Sequence, residues 1–424
     1  MIYRLVRPLA RYVLSWYYRR IEIDGLEHIP AEGPVIFAAN HPTAFIEPCI
    51  LACYQGRALW FLARGNLFKN SLANWVLGQL HILPVYRIED GGYGKLKNNY
   101  ATFSACRNAL GQGRAIMILA EGRCIHEKRL RPLRKGTGRI ALSALVENPE
   151  LEDVPVLPIG VNFTYPDRMR STVMIRIGEP LSSREFLPAY RENENKGVLD
   201  FTRALALALD PLVIQIPGLE LDAIGETVFQ VDRADRNRSL LYGFSTEAGG
   251  LDREISLATL LAKIDPRPIE AYANRLRGGE LKESAVSGSW SEYLELGLTD
   301  WLKFFLATLL LLWFLPILLV AEYIGGTSTR HIEFYSPVRF AAATVAMVVI
   351  PPLWLIGINP WLIGYAIISI IFARWAWGEW EKGLRWYHAR AAWRQTEMER
   401  KILKSLRLEV QREIKRVVQL PEHE

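Results

Sequence analysis

Four short polar islands, each next to an apolar run, hold the residues best suited to chemistry in this chain. The first is Asn40-His41-Pro42-Thr43-Ala44-Phe45-Ile46-Glu47, which sets an imidazole and a carboxylate six positions apart. A neutral imidazole held by an acid is the usual protein base for taking a proton from an alcohol. Along an unbroken helix, at about 100° per residue, His41 and Glu47 would lie on different faces. They can meet only if His41 sits in a turn before the helix, and Pro42, suited to a first helical position, predicts such a turn. Glu47 would then bond one ring nitrogen while the other takes the proton. The alternative is a structural histidine that caps a strand end.

The second island, Leu83-Pro84-Val85-Tyr86-Arg87, ends an apolar run on a guanidinium. A strand would deliver Arg87 to the carboxyl edge of an open α/β sheet, where ligands bind, and a guanidinium can grip a phosphate bidentately. A surface salt bridge is the plainer use of the same residue. Arg64, at the end of Ala58-Leu59-Trp60-Phe61-Leu62-Ala63, is a second residue of this kind. The third island is Ala120-Glu121-Gly122-Arg123 and the fourth Val154-Pro155-Val156-Leu157-Pro158-Ile159. Glu121 is suited to orient Arg123, another cation or an acceptor hydroxyl, or to serve as a purely structural partner of an arginine.

The elements that must position these residues follow from periodicity. Strand-like runs at Val35–Ala38, Ala58–Ala63, Ile82–Arg87 and Ala115–Ala120 alternate with helix-like stretches such as Leu72–Leu80, the pattern of one α/β domain over residues 21–180. Residues 181–300 turn polar and helical. Three segments, Phe304–Ile324, Phe340–Ile358 and Trp361–Trp377, are nearly free of charge and close to the length of a bilayer span, which places transmembrane segments within residues 301–378. Basic residues in both the front domain and the tail favour the cytoplasmic face for both. This favours two crossings joined at Asn359-Pro360 and an oblique or re-entrant first segment near Pro316, with an odd number of crossings as the alternative. Residues 1–20 carry Arg4, Arg7, Arg11, Arg19 and Arg20 with no acid, interleaved with Leu5, Leu9, Val13, Leu14, Trp16 and Tyr17. That is the pattern of an interfacial amphipathic helix with Trp and Tyr in a headgroup layer. The tail, residues 379–424, repeats Leu403, Leu406, Val410, Ile414 and Val417 at helical spacing, either as a solvated helix with charge pairs or as a lipid- or partner-binding one.

Composition allows a soluble domain of ordinary size together with several bilayer spans. Of 424 residues 50% are hydrophobic, the net charge is +6, and the sequence pI is 9.0. The basic balance suits lipid surfaces or phosphate-bearing substrates; nucleic-acid binding would explain the charge but not the apolar segments. Cys49, Cys53, Cys106 and Cys124 form no Cys-x-x-Cys pair and predict reduced thiols. No Gly-x-Ser-x-Gly elbow is present, Gly111-Gln112-Gly113 lacks the third glycine of a dinucleotide loop, and His41, His81 and His126 lack the spacing of a zinc site.

In this order, the four islands resemble the blocks of the glycerol-phosphate/lysophosphatidate acyltransferase family over about residues 21–180. Within that family the first block usually reads His-x4-Asp. The longer spacing to Glu47, with spans after the catalytic domain, is similar to fungal glycerol-3-phosphate/dihydroxyacetone-phosphate acyltransferases and bacterial relatives. Arg123-Cys124 departs from the pair common in the third block. The resemblance implies an α/β acyltransferase domain followed by a helical region and C-terminal transmembrane helices. It also implies a glycerolipid O-acyltransferase that moves an acyl group from acyl-CoA or acyl-ACP to glycerol-3-phosphate or its 1-acyl derivative. His41 and Glu47 are then catalytic, while Arg87, Glu121, Gly122, Arg123 and Arg64 line the substrate. Lys128, Arg129, Arg131, Arg134 and Lys135 could meet coenzyme phosphates, face lipid headgroups, or form a solvated loop. The expected site needs no metal or cofactor, because a thioester is already activated. The expected location is an integral membrane protein with its catalytic domain on the cytoplasmic face. A non-catalytic membrane scaffold that keeps the fold is the competing reading, and the departures at Glu47 and Arg123-Cys124 are what favour it.

Overall fold

The apolar runs become strands because each is short, rich in β-branched or aromatic residues, and bounded by turn residues. The computed structural model describes residues 2–68, 70–85, 92–236, 243–287, 297–354 and 360–419. The chain divides into two units: Met1–Val213 with Phe244–Ala248 and Ile324–Thr344, and Ile214–Gly243 with Gly249–Tyr323 and Val345–Glu424.

The first unit begins with α1 (Ile2–Tyr17), β1 (Arg20–Asp24), β2 (Val35–Ala39), α2 (Ile46–Tyr54) and β3 (Leu59–Arg64). It continues through α3 (Ser71–Gln79), β4 (Ile82–Val85), α4 (Gly92–Gly111), β5 (Ala115–Leu119), α5 (Gly136–Glu147), β6 (Val156–Phe163) and β7 (Thr172–Ile177). Helices α6 (Leu187–Glu192) and α7 (Glu194–Leu209) follow. With β8 (Phe244–Ser245) the strands make one sheet in the order β4-β3-β5-β2-β6-β7-β1-β8. The five strands from β4 to β6 are parallel, β7 runs antiparallel to β6, and β1 and β8 run parallel to β7. Strand β2 lies at the centre, in register with β5 through Ala39↔Leu119 and with β6 through Ala39↔Ile159. Its five residues are all buried, as expected of a parallel strand covered on both faces. Helices α4, α5 and α7 pack on one face around Ile36, Leu110, Ile140, Leu145 and Phe201.

Two expectations about this unit change. Trp16 and Tyr17, expected in a headgroup layer, are fully buried with Val13 and Leu14; the apolar side of α1 is taken up by the unit's own core, where burial of each large side chain contributes about 1.5–3 kcal/mol. The helix expected to begin at Pro42 begins at Ile46, so residues 42–45 extend the turn.

The second unit contains α8 (Asp222–Asp235), α9 (Gly249–Leu260), α10 (Pro266–Gly278) and α11 (Leu298–Leu311). Helices α12 (Leu315–Ser328) and α13 (Ile332–Trp354) are shared between the units, and α14 (Pro360–Trp393) and α15 (Glu397–Val418) complete the second. The stretches Leu298–Ser328, Ile332–Pro351 and Trp361–Arg390 are long and apolar enough to cross a membrane. A 3-10 turn at Leu312–Phe314 interrupts the first of them just before Pro316. Asn359, expected in the hairpin turn, lies outside the described residues. In the tail, α15 is not a solvated rod: Leu403, Val410, Ile414 and Val417 are buried, and the helix packs on α10 and α8.

Candidate active site

Strand β2 ends at Ala39, at the carboxyl edge of the parallel strands. There Asn40 replaces the backbone ladder with its side chain: Nδ2 donates to the Val161 carbonyl at 3.0 Å, and Oδ1 accepts from the Val161 N–H at 2.7 Å. The strand end is thus clamped to β6, and the next residue is His41.

His41 is buried, with Nδ1 3.7 Å from Oε1 of the fully buried Glu47. That separation is an ion-pair distance rather than a hydrogen bond, and Nδ1 is sealed from solvent without a partner. Nε2 makes no hydrogen bond to a described residue and is not sealed in the same way. Glu47 occupies the first turn of α2, where the helix dipole favours a negative charge. Its position is set by Thr43, which donates its backbone N–H to Oε1 at 2.6 Å and its hydroxyl to Oε2 at 2.8 Å. The extra turn between Pro42 and Phe45 brings acid and imidazole together despite their six-residue spacing.

The third island holds the backbone of His41. Glu121 Oε2 accepts the His41 N–H at 2.8 Å, while the His41 carbonyl accepts the Ile125 N–H at 3.3 Å. Glu121 is also the anchor of the basic loop: Oε1 accepts the Arg131 N–H and Oε2 accepts Arg131 Nη2, each at 2.8 Å. Arg131 Nη2 donates as well to the Arg123 carbonyl. The cation Glu121 orients is therefore Arg131 rather than Arg123. Gly122 has φ of +72°, and a Cβ there would come within 2.9 Å of Arg134 Cγ, so both backbone and space call for glycine.

Of the other expected residues, Arg123 is exposed on the same loop, and Arg64 is exposed at the end of β3, two strands away from β2. Arg87 lies outside the described residues. In the basic run Lys128 reaches the Thr164 carbonyl at 3.4 Å and Arg129 stands 3.9 Å from Glu127. Arg134 and Lys135 are exposed. The four cysteines are free, and burial pushes the Cys53 and Cys106 thiols up to about 12. Among the described residues no group of His, Cys, Asp and Glu is arranged to hold a metal ion.

Several residues at the site carry no sequence signal of their own. Thr43 was visible only as a hydroxyl four positions before Glu47, and Arg131 only as one of a run of cations. His126 is a further one: its Nε2 is buried without a partner, and burial holds its pKa below the usual histidine value against the opposing pull of Glu333, Asp167 and Glu47. Glu333 belongs to the first turn of α13, and its carbonyl accepts the Ala44 N–H at 3.2 Å. Tyr17 pairs with the same helix, its hydroxyl 3.0 Å from both the carbonyl and the hydroxyl of Ser336. The turn that follows His41 is therefore pinned to the start of a helix long enough to cross a membrane.

Comparison with known proteins meets this geometry at the same strands. Residues 20–162 match the acyltransferase family model. An uncharacterized acyltransferase of Schizosaccharomyces pombe is 29% identical over 296 residues, 49% of this chain and 43% of that protein. The chloroplastic 1-acyl-sn-glycerol-3-phosphate acyltransferase of Brassica napus is 22% identical over 143 residues, 34% of this chain and 37% of its own length. The chain thus spans less than half the length of these curated relatives. Among solved structures, the 1-acyl-sn-glycerophosphate acyltransferase PlsC of Thermotoga maritima is similar at 18% identity and a TM-score of 0.36, over 49% of this chain and 79% of that one. His41, Glu47, Glu121 and Gly122 all lie inside the matched acyltransferase region.

Proposed function

We propose that the chain is a membrane-bound glycerolipid O-acyltransferase that moves a fatty acyl group from acyl-coenzyme A or acyl carrier protein to a hydroxyl of glycerol-3-phosphate or 1-acylglycerol-3-phosphate. The observation that carries this reading is the placement of His41 at the end of β2, with Glu47 3.7 Å behind Nδ1. The family match and the activity named for the Brassica napus relative support the acyl chemistry.

In the proposed reaction His41 Nε2 takes the proton from the acceptor hydroxyl as its oxygen attacks the thioester carbonyl. The imidazolium that forms is stabilised by Glu47, and its Nδ1–H closes the 3.7 Å gap to a hydrogen bond. The tetrahedral intermediate collapses with cleavage of the C–S bond, and the departing thiolate takes the proton from His41. The thioester supplies the driving force, so the step calls for no metal or redox group. Arg87, with Arg64 and Arg123, is the proposed anchor for the acceptor phosphate. The domain would face the cytoplasm, with the site at the leaflet into which the product partitions.

The test is thiol release from acyl-coenzyme A by the purified protein, with and without each acceptor. Release that depends on a glycerol-phosphate acceptor supports the reading. No acceptor-dependent release from either acyl-coenzyme A or acyl carrier protein, by a folded protein, would leave the scaffold reading in its place.

A further inference from the structure

Helix α3 presents a composition that water does not favour. Its sequence Ser-Leu-Ala-Asn-Trp-Val-Leu-Gly-Gln contains five apolar residues, and none of its nine residues is buried. Leu72 is 68% exposed and Trp75 57%, and Leu67 in the preceding 3-10 turn (Gly65–Leu67) is 52% exposed. A nine-residue helix has little stability of its own, and the Asn70 cap on the Ala73 N–H, at 2.8 Å, adds only about 1 kcal/mol. A clustered exposed apolar surface marks an interaction site.

The stretches that supply this surface carry charge of one sign. Helix α3 packs beside α1, whose outer side exposes Arg4, Arg11 and the 66% exposed Leu5. Tyr3 of α1 also stacks on His81, just beyond α3, at 4.7 Å. Residues 2–21 contain no Asp or Glu, and neither do residues 48–88, which supply α3 and its flanks. Exposed Leu and Trp side chains on stretches that carry arginines and no acid match the apolar and anionic layers of a lipid surface.

We infer that α3, the turn before it and the outer side of α1 dock on an anionic lipid headgroup layer, with Leu67, Leu72 and Trp75 inserted and Arg4 and Arg11 facing phosphates. The interfacial role expected of Trp16 and Tyr17 thereby passes to residues that the core leaves free. Docking of this face is independent of the acyl-transfer chemistry proposed above, and neither Leu72 nor Trp75 belongs to that machinery.

The test uses the full chain reconstituted in vesicles of phosphatidylcholine, with or without phosphatidylglycerol. A benzophenone-bearing amino acid is placed at position 72, at position 75 or, as an exposed control in the same unit, at position 152. Illumination should give lipid adducts at 72 and 75 in several-fold excess over 152, and more in the anionic vesicles. Adducts to a second copy of the chain, or a yield no greater than at 152, would overturn the assignment. The Arg4→Gln/Arg11→Gln variant should lose the preference for anionic vesicles. Retention of that preference would overturn the role given to the arginines.

Discussion

Two charge clusters, one in each unit, are built to different specifications. In the second unit Arg407 donates Nε to Glu283 at 2.7 Å and Nη2 to Asp235 at 2.6 Å. Tyr272 also donates to Glu283, and Gln411 to Asp235 at 2.7 Å. Arg233 meets Glu254 through two bonds, at 2.8 and 2.5 Å. In the first unit Glu47 and Glu121 are equally buried and equally well bonded, but the ring they serve is not: His41 Nδ1 waits at 3.7 Å. In both clusters the carboxylates are bonded; what differs is that the imidazole beside Glu47 stands at ion-pair distance rather than being hydrogen-bonded. Under the function proposed above, the difference separates charges that stabilise from charges that react.

Variants in the two clusters should therefore fail in different ways. His41→Ala should lower kcat by about 10³-fold, within the range for loss of a general base, with the melting temperature little changed; an active variant would break the comparison outright. Arg407→Ala should behave in the reverse sense, costing about 3–5 kcal/mol of stability because the buried Glu283 loses its counter-charge and keeps only the Tyr272 hydroxyl. Its kcat per folded molecule should stay near the parent value, and a selective loss of turnover would show that the second cluster is not merely structural. Glu47→Gln should reduce kcat by about 10²-fold, since the amide keeps the shape but not the charge opposite His41; denaturant titration would show whether the loss is separate from stability. Arg87→Ala should raise the acceptor KM about tenfold, the effect of one lost charge-assisted phosphate contact. A defect confined to the thioester donor would contradict its assignment.

The smallest expected effect concerns pH. Burial lowers the His126 pKa below 6.5, with Glu333, Asp167 and Glu47 pulling the other way, so the unfolded chain binds this proton more readily than the folded one. The stability tied to neutral His126 is present above pH 6.5 and is lost as pH falls through the window below it. His126→Asn should flatten the fall in melting temperature over that window, and an unchanged slope would remove His126 from the set of acid-sensitive groups.

How far the site was legible depended on the range of the interaction. His41 and Glu47 could be paired from their spacing, because only a turn between them allows contact, and Glu47 does lie in the first turn of a helix that starts at Ile46 rather than at Pro42. Strand positions were readable from runs such as Val35–Ala38, which needed only their neighbours' apolar character. The role of Glu121 was not readable. Its partners are a backbone N–H 80 residues earlier and an arginine ten residues later, one of several cations that look alike in sequence. Trp16 and Tyr17 misled for a related reason: an amphipathic helix shows that an apolar side must be covered, but not whether protein or lipid covers it.

The sequence alone determined which side chains can exchange a proton, where strands alternate with helices, and which three stretches are apolar enough for a bilayer. These are properties of residue type and local period. Only the tertiary structure decided that β5 lies beside β2, so that Glu121 and Ile125 clamp the backbone of His41, and that the first turn of α13 supports Ala44. Those contacts join distant segments through strand order and burial, and a buried N–H or carboxylate must find a partner wherever the fold brings one.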